Sequence, residues 1–201
     1  MPRTEKEIAI LNPVAVEAGR VTIEWNDMCE SFGVLFARIL YPSEPFSEMA
    51  LAVWHSTISD SLQRDMLMAS ARVANKKWAE QFPKFYGDIC QLCEKAKSLS
   101  DHRNNVAHAP LTFSLDEHGQ ATGVVASTFF GHPRAQKLDG KDLIAAFRLF
   151  TDYAEKLKLF ARQIDAAITF SGVCAWPERP DLPSLAESAI PRIQQGRQIQ
   201  R

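Results

Sequence analysis

Apolar residues recur along most of this chain at steps of three and four, the period of one face of an α-helix. Val21, Trp25, Met28, Phe32, Leu35, Phe36 and Ile39 form the first such stripe. Val21, Ile23 and Trp25 also alternate, which fits a short strand equally well. Gly19 and Thr22-Ile23 blur where the helix begins, and residues 1–13, ending at Pro13, read as a loose leader. Pro42 and Pro45 stop the first element. Ser47 is a good N-cap with Glu48 in the first turn. Leu51, Trp54, Ile58, Leu62, Met66 and Val73 then predict one long helix over 48–77. Pro83 marks the next break. A third helix is predicted from about Phe85 to His108, with Ile89, Leu92, Cys93, Ala96, Leu99, Val106 and Ala107 inward. Pro110 forces Ala109 toward extended geometry, so that helix ends near His108.

Between 111 and 131 the period changes. Leu111, Phe113 and Leu115 alternate, Asp116-Glu117-His118-Gly119 reads as a turn, and 124–130 is rich in β-formers. This segment is a β-hairpin or an ordered loop. Asp139-Gly140-Lys141-Asp142 opens the last long helix. Leu143, Phe147, Phe150, Ala154, Leu157, Phe160, Ile164 and Ile168 carry its apolar face to about 170. From Trp176 the chain holds Pro177, Pro180, Pro183 and Pro191. That tail, 176–201, is expected to be extended or partly disordered, with one short helix at 184–190. The pattern as a whole predicts an all-α protein: a helical bundle of four to five helices over 14–175, with a β-hairpin inserted at about 111–131.

Composition narrows the setting. The chain has 201 residues, 46% of them hydrophobic, enough for one good core and too few for two ordinary domains. The net charge of -1 supplies no general attraction to nucleic acid, so any RNA contact must use a local cluster of charge. No apolar run approaches the roughly 20 residues of a membrane span, no signal peptide is visible, and a cytoplasmic location is expected.

Several constellations fail on geometry. Cys90 and Cys93 with His102 and His108 imitate a zinc ligand set. All four lie on one predicted helix, where the 15 residues from Cys93 to His108 span roughly 22 Å, too far to converge on one ion. The spacing of Cys90 and Cys93 suits core packing better. There is no glycine-rich phosphate loop and no nucleophile elbow. No cofactor or metal site is expected. Lys76-Lys77, Lys137 and Lys141 read as solvated faces, and His55 as a packed or surface residue.

One motif survives. Asp101-His102-Arg103-Asn104-Asn105-Val106-Ala107-His108 puts an Arg, an amide and a His at a helix end. Here the chain resembles the HEPN superfamily (higher eukaryotes and prokaryotes nucleotide-binding), whose signature is an Arg, four to six residues, then a His, often with a polar residue directly after the Arg. Arg103, Asn104 and His108 match it with four intervening residues. The resemblance implies an all-α bundle, in agreement with the periodicity. It also implies a metal-independent endoribonuclease with catalytic Arg103, Asn104 and His108, acting as a toxin or defence effector. Such proteins commonly form homodimers with the motifs facing each other. They often have a neutralising antitoxin partner such as a nucleotidyltransferase.

The residue types suit that chemistry. An imidazole serves as base or acid near neutral pH. A guanidinium offers a planar fork to phosphate oxygens, and Asn104 can orient His108 or donate to the phosphate. Cleavage through a 2′-OH implies RNA and no DNA specificity. Three other assignments remain open. Asn104 and His108, four apart on one face, can simply cap carbonyls while Arg103 pairs with Asp101 or Glu94. The protein can be a non-catalytic helical module that binds a nucleotide or a protein. It can also be an interaction protein whose Pro-rich tail docks a partner.

One geometric condition follows from the helix. Five residues turn roughly 500°, which leaves Arg103 and His108 roughly 140° apart around the axis. Arg103 must reach around, the helix must loosen near Ala109, or two protomers must share a pocket.

Overall fold

The structure is a computed structural model that describes residues 3–43 and 47–193. Pro45, Met1-Pro2 of the expected leader and 194–201 of the expected tail lie outside the described residues. Among the described residues there are six α-helices, one 3-10 turn and one two-stranded antiparallel sheet. No helix among them is long and apolar enough to cross a membrane.

Helix α1 spans Glu5–Leu40 and corrects the expected leader. Thr4 and Glu7 start it with a reciprocal capping box: the Glu7 N–H donates to Thr4 Oγ1 at 3.2 Å, and the Thr4 N–H to the Glu7 carboxylate at 2.7 Å. Pro13 sits inside the helix on its solvent side, between the inward positions Ile10 and Val14. The apolar register therefore runs through it although one backbone hydrogen bond is lost. All seven residues of the first predicted stripe are buried, whereas Ile23 is exposed, which settles the region as helix.

The helix expected over 48–77 is two: α2 (Glu48–Ser56) and α3 (Asp60–Trp78). Thr57 and Ser59 adopt extended geometry, and Ser59 Oγ accepts from the Leu62 N–H as an N-cap. The break resets the helical register. Arg64, Leu67 and Ala71 become the buried face, while Ile58, Leu62 and Val73 are exposed. Helix α4 (Phe85–His108) and helix α6 (Leu143–Thr169) match expectation, and all eight predicted apolar positions of α6 are buried. On α4 the exception is Ala107, which is exposed.

The 111–131 segment is a hairpin of β1 (Leu111–Leu115) and β2 (Ala121–Ala126), paired from Leu111↔Ala126 to Leu115↔Ala121 with an irregularity at Ser114/Leu115. Asp116 Oδ1 accepts from the His118 and Gln120 N–H groups, and Gly119 takes the left-handed φ of 77° that closes the turn. A 3-10 turn (Phe129–Gly131) and a short helix α5 (Pro133–Leu138) follow. Neither was expected. Residues 184–190, predicted helical, form only a turn, closed by Ala189 N–H to Ala186 O at 2.8 Å.

The chain divides into two compact units. The first comprises 1–23, 101–152 and 183–201; the second comprises 24–100 and 153–182. The second unit is helical, cored by Trp25, Phe32, Trp54, Phe85, Phe160 and their neighbours. Trp54 closes against Gly33, where a β-carbon would meet its indole at 2.8 Å. Its segment 176–182 is extended but anchored. The fully buried Asp88 accepts from Trp176 Nε1 at 2.7 Å and Arg179 Nε at 2.6 Å. The first unit holds the end of α4, the hairpin, α5 and the start of α6. Its core includes Val14, Val106, Leu138, Phe147 and Phe150. In that unit buried Glu17 accepts from Arg148 at 2.9 Å and pairs with Arg20 at 3.2 Å.

Candidate functional site

The site is built on the last two turns of α4. Regular hydrogen bonding persists to the end, since the Ala109 N–H still reaches Asn105 O at 2.9 Å. Pro110 then lacks the N–H needed to continue. The helix therefore does not loosen near Ala109.

Burial fixes which way each side chain faces. Leu99 and Val106 are buried and mark the inward side. Arg103 lies roughly 40° from Leu99 around the helix, Asn104 roughly 140° and His108 roughly 180°. Arg103 and Asn104 are accordingly half-buried and His108 is exposed. Left to its Cα position, Arg103 would point away from His108. Its Nη1 donates to Asn104 Oδ1 at 3.1 Å, and its Nε is buried. Asn104 and His108 are four residues apart, with β-carbons about 6 Å from each other. The amide thus links the guanidinium to a residue that neighbours His108 along the helix.

The same unit contains a polar cluster that the sequence did not reveal. His102 stacks against Phe150, ring centroids 4.8 Å apart. Burial pushes the His102 imidazole below its ordinary pKa; Asp101 and Glu187 pull it back up, and Lys141 adds to the lowering. Lys141, expected on a solvated face, is 1% exposed. Its Nζ meets the Glu187 carboxylate at 2.6 Å and donates to the Glu187 backbone oxygen at 3.2 Å. The Lys141 hydrogen bond holds the Glu187 carboxyl below the usual range against a smaller opposing effect of burial, with Arg192 and Lys137 acting in the same direction as Lys141. Residues 191–193 are tied to the same place by Asp142 N–H to Pro191 O at 3.0 Å and Ile193 N–H to Gly140 O at 3.1 Å. No local signal could have announced this pairing, because Lys141 and Glu187 are 46 residues apart. His102 had a signal, its place on the inward side of α4 beside Leu99 and Val106.

Cys93 is buried and its Sγ approaches Arg64 O at 3.7 Å. Burial pushes its thiol up to about 12, which makes it an inert core residue. Among the described residues no group of three or more His, Cys, Asp or Glu side chains is placed to hold a metal ion. The α4 terminus therefore carries a half-buried cation bonded to an amide and, one turn beyond that amide, an exposed imidazole. In comparison with known proteins, no family model, curated protein or solved structure matches this chain.

Proposed function

We propose that this chain is a metal-independent endoribonuclease of HEPN type, a toxin or defence effector that cleaves RNA by attack of a 2′-OH on the adjacent phosphorus. What supports this reading is the Arg103 Nη1 to Asn104 Oδ1 bond at 3.1 Å, which links the guanidinium to the amide one turn before exposed His108.

The steps follow from the groups. The neutral imidazole of His108 takes the 2′-OH proton while O2′ bonds to phosphorus. Arg103 pairs with the non-bridging oxygens, where negative charge grows. It also offsets the electronegative end of α4, which alone would repel phosphate. The P–O5′ bond then breaks, and the His108 imidazolium returns its proton to O5′. The products are a 2′,3′-cyclic phosphate and a 5′-hydroxyl. Asn104 is a positioning residue in this scheme, acting through Arg103. A second copy of the chain would lay another such face against the same strand, which suits a homodimer. A neutralising antitoxin would act by covering the faces.

Expression of the chain should arrest growth and degrade RNA, and Arg103→Ala and His108→Ala should each relieve both effects. General acid–base catalysis is worth roughly 10²–10⁴-fold, so the His108 variant should lose activity on that scale. Undiminished cleavage by either purified variant would remove the residue from the mechanism. Binding of RNA without cleavage by the wild type would leave a non-catalytic module.

A further inference from the structure

Beyond the α4 terminus, the first unit contains a cavity of about 370 Å³ walled by the hairpin, the 3-10 turn and the α5–α6 junction. This volume lies within the roughly 300–1,000 Å³ of small-molecule sites. Two aromatic residues, Phe113 and Phe129, line it together with the hydroxyl-bearing Thr112, Ser127 and Thr128. Phe129 is 74% exposed, an unusual placement for a Phe side chain. The buried stem of Lys141 forms part of the wall, with its ammonium engaged by Glu187.

Two further facts connect this cavity to the proposed chemistry. The Ser127 N–H donates to Pro110 O at 2.8 Å, so the cavity wall is fastened to the chain two residues beyond His108. Two residues span at most about 7 Å. The helix that leads into the cavity, α5, also carries Arg134 and Lys137, and Asp139 directly after it lines the cavity. Two cations against one carboxylate leave this segment weakly cationic in a chain of near-zero net charge.

We infer that this cavity is a subsite for one unpaired base of single-stranded RNA. The base stacks on Phe129 at the mouth, its edge meets the hydroxyls of Thr112, Ser127 and Thr128, and Arg134 and Lys137 attract the flanking phosphates. Stacking on an aromatic ring tolerates any base, and hydroxyls both donate and accept, so the subsite selects an unpaired strand more strongly than a sequence. The inference rests on the ribonuclease reading for its substrate and places the cleaved phosphate one nucleotide step away, beside His108.

The test uses full-length His108→Ala protein, so that RNA is not consumed, with a short fluorescein-labelled single-stranded RNA followed by anisotropy. Adding Phe129→Ala should weaken binding about tenfold or more, the size of one lost base–aromatic stack. Phe129→Tyr, which keeps the ring, should bind within a few-fold of the parent. Free nucleoside monophosphates should compete only at much higher concentration, because they lack the neighbouring phosphates; competition on a par with the RNA would reassign the cavity to a free nucleotide and overturn the inference. Equal binding with and without the Phe129 ring, loss in Phe129→Tyr as large as in Phe129→Ala, or no RNA binding at all would each overturn it too. Cleavage by the wild type is scored separately. Ring-dependent binding without cleavage sinks the ribonuclease reading alone, and cleavage with ring-independent binding sinks the base subsite alone.

Discussion

Replacing Asn104 with Ala removes the acceptor of the Arg103 Nη1 hydrogen bond, which the proposed reaction relies on to position the guanidinium. The position is half-buried on a regular helix, and the better helix propensity of Ala offsets only part of the lost hydrogen bond, so folding stability should fall by about 0.5–1.5 kcal/mol. The lost interaction is a 3.1 Å hydrogen bond from a charged donor. Such bonds contribute about 1.5–3 kcal/mol when buried; partial exposure reduces this to about 1–2 kcal/mol. If that energy holds the guanidinium in its reactive place, kcat/KM for RNA cleavage should fall about 5- to 30-fold. Because Asn104 acts only through Arg103, the double variant Arg103→Ala/Asn104→Ala should be no slower than Arg103→Ala alone. The double-mutant cycle is measured on one labelled RNA, with thermal melts to show that all four proteins are folded. Additive losses, or an Asn104→Ala protein as fast as the parent, would refute the positioning argument.

Three other outcomes are expected. An equimolar mixture of Arg103→Ala and His108→Ala proteins should stay inactive if one helix supplies both groups, whereas recovery of about a quarter of wild-type activity would show a site shared between protomers exchanging at random as two-fold dimers. Gly33→Ala should destabilise the second unit by about 1–3 kcal/mol in a denaturant titration, because overpacking against rigid, buried Trp54 exceeds the roughly 1 kcal/mol helix propensity gain; a stabilised protein would contradict the packing described. His102 has a folded pKa depressed below 6.5 chiefly by burial, so its contribution is present above about pH 6.5 and is lost as pH falls through the folded value. His102→Gln should therefore flatten the stability–pH curve just below pH 6.5, and an unchanged slope would count against it.

How much of this was legible along the chain depended on whether the decisive interaction was local. The α6 stripe from Leu143 to Ile168 could be read residue by residue, because one uninterrupted helix keeps its period. Its opposite is the 48–77 stretch, where two hydroxyl residues, Thr57 and Ser59, compete for backbone groups and rotate everything after them. The Thr4–Glu7 capping box was written in the sequence and outweighed Pro13 as a signal for where α1 begins. At the site, Arg103, Asn104 and His108 were identifiable as a motif, and helix arithmetic posed the right question about their separation. The bond from Arg103 to Asn104 depends on side-chain rotamers, which periodicity cannot supply. The burial of Lys141 depends on a partner in the distant 183–193 segment, and the cavity beside the hairpin depends on the unforeseen turn and α5.

The most direct measurement is the chemical identity of the ends made from a defined RNA in the presence of a metal chelator. Mass spectrometry should find 2′,3′-cyclic phosphate and 5′-hydroxyl termini with the wild-type chain, and neither with His108→Ala. A 5′-phosphate product, a chelator-sensitive reaction, or the same ends released by the His108 variant would contradict attack by a 2′-oxygen under the control of this imidazole.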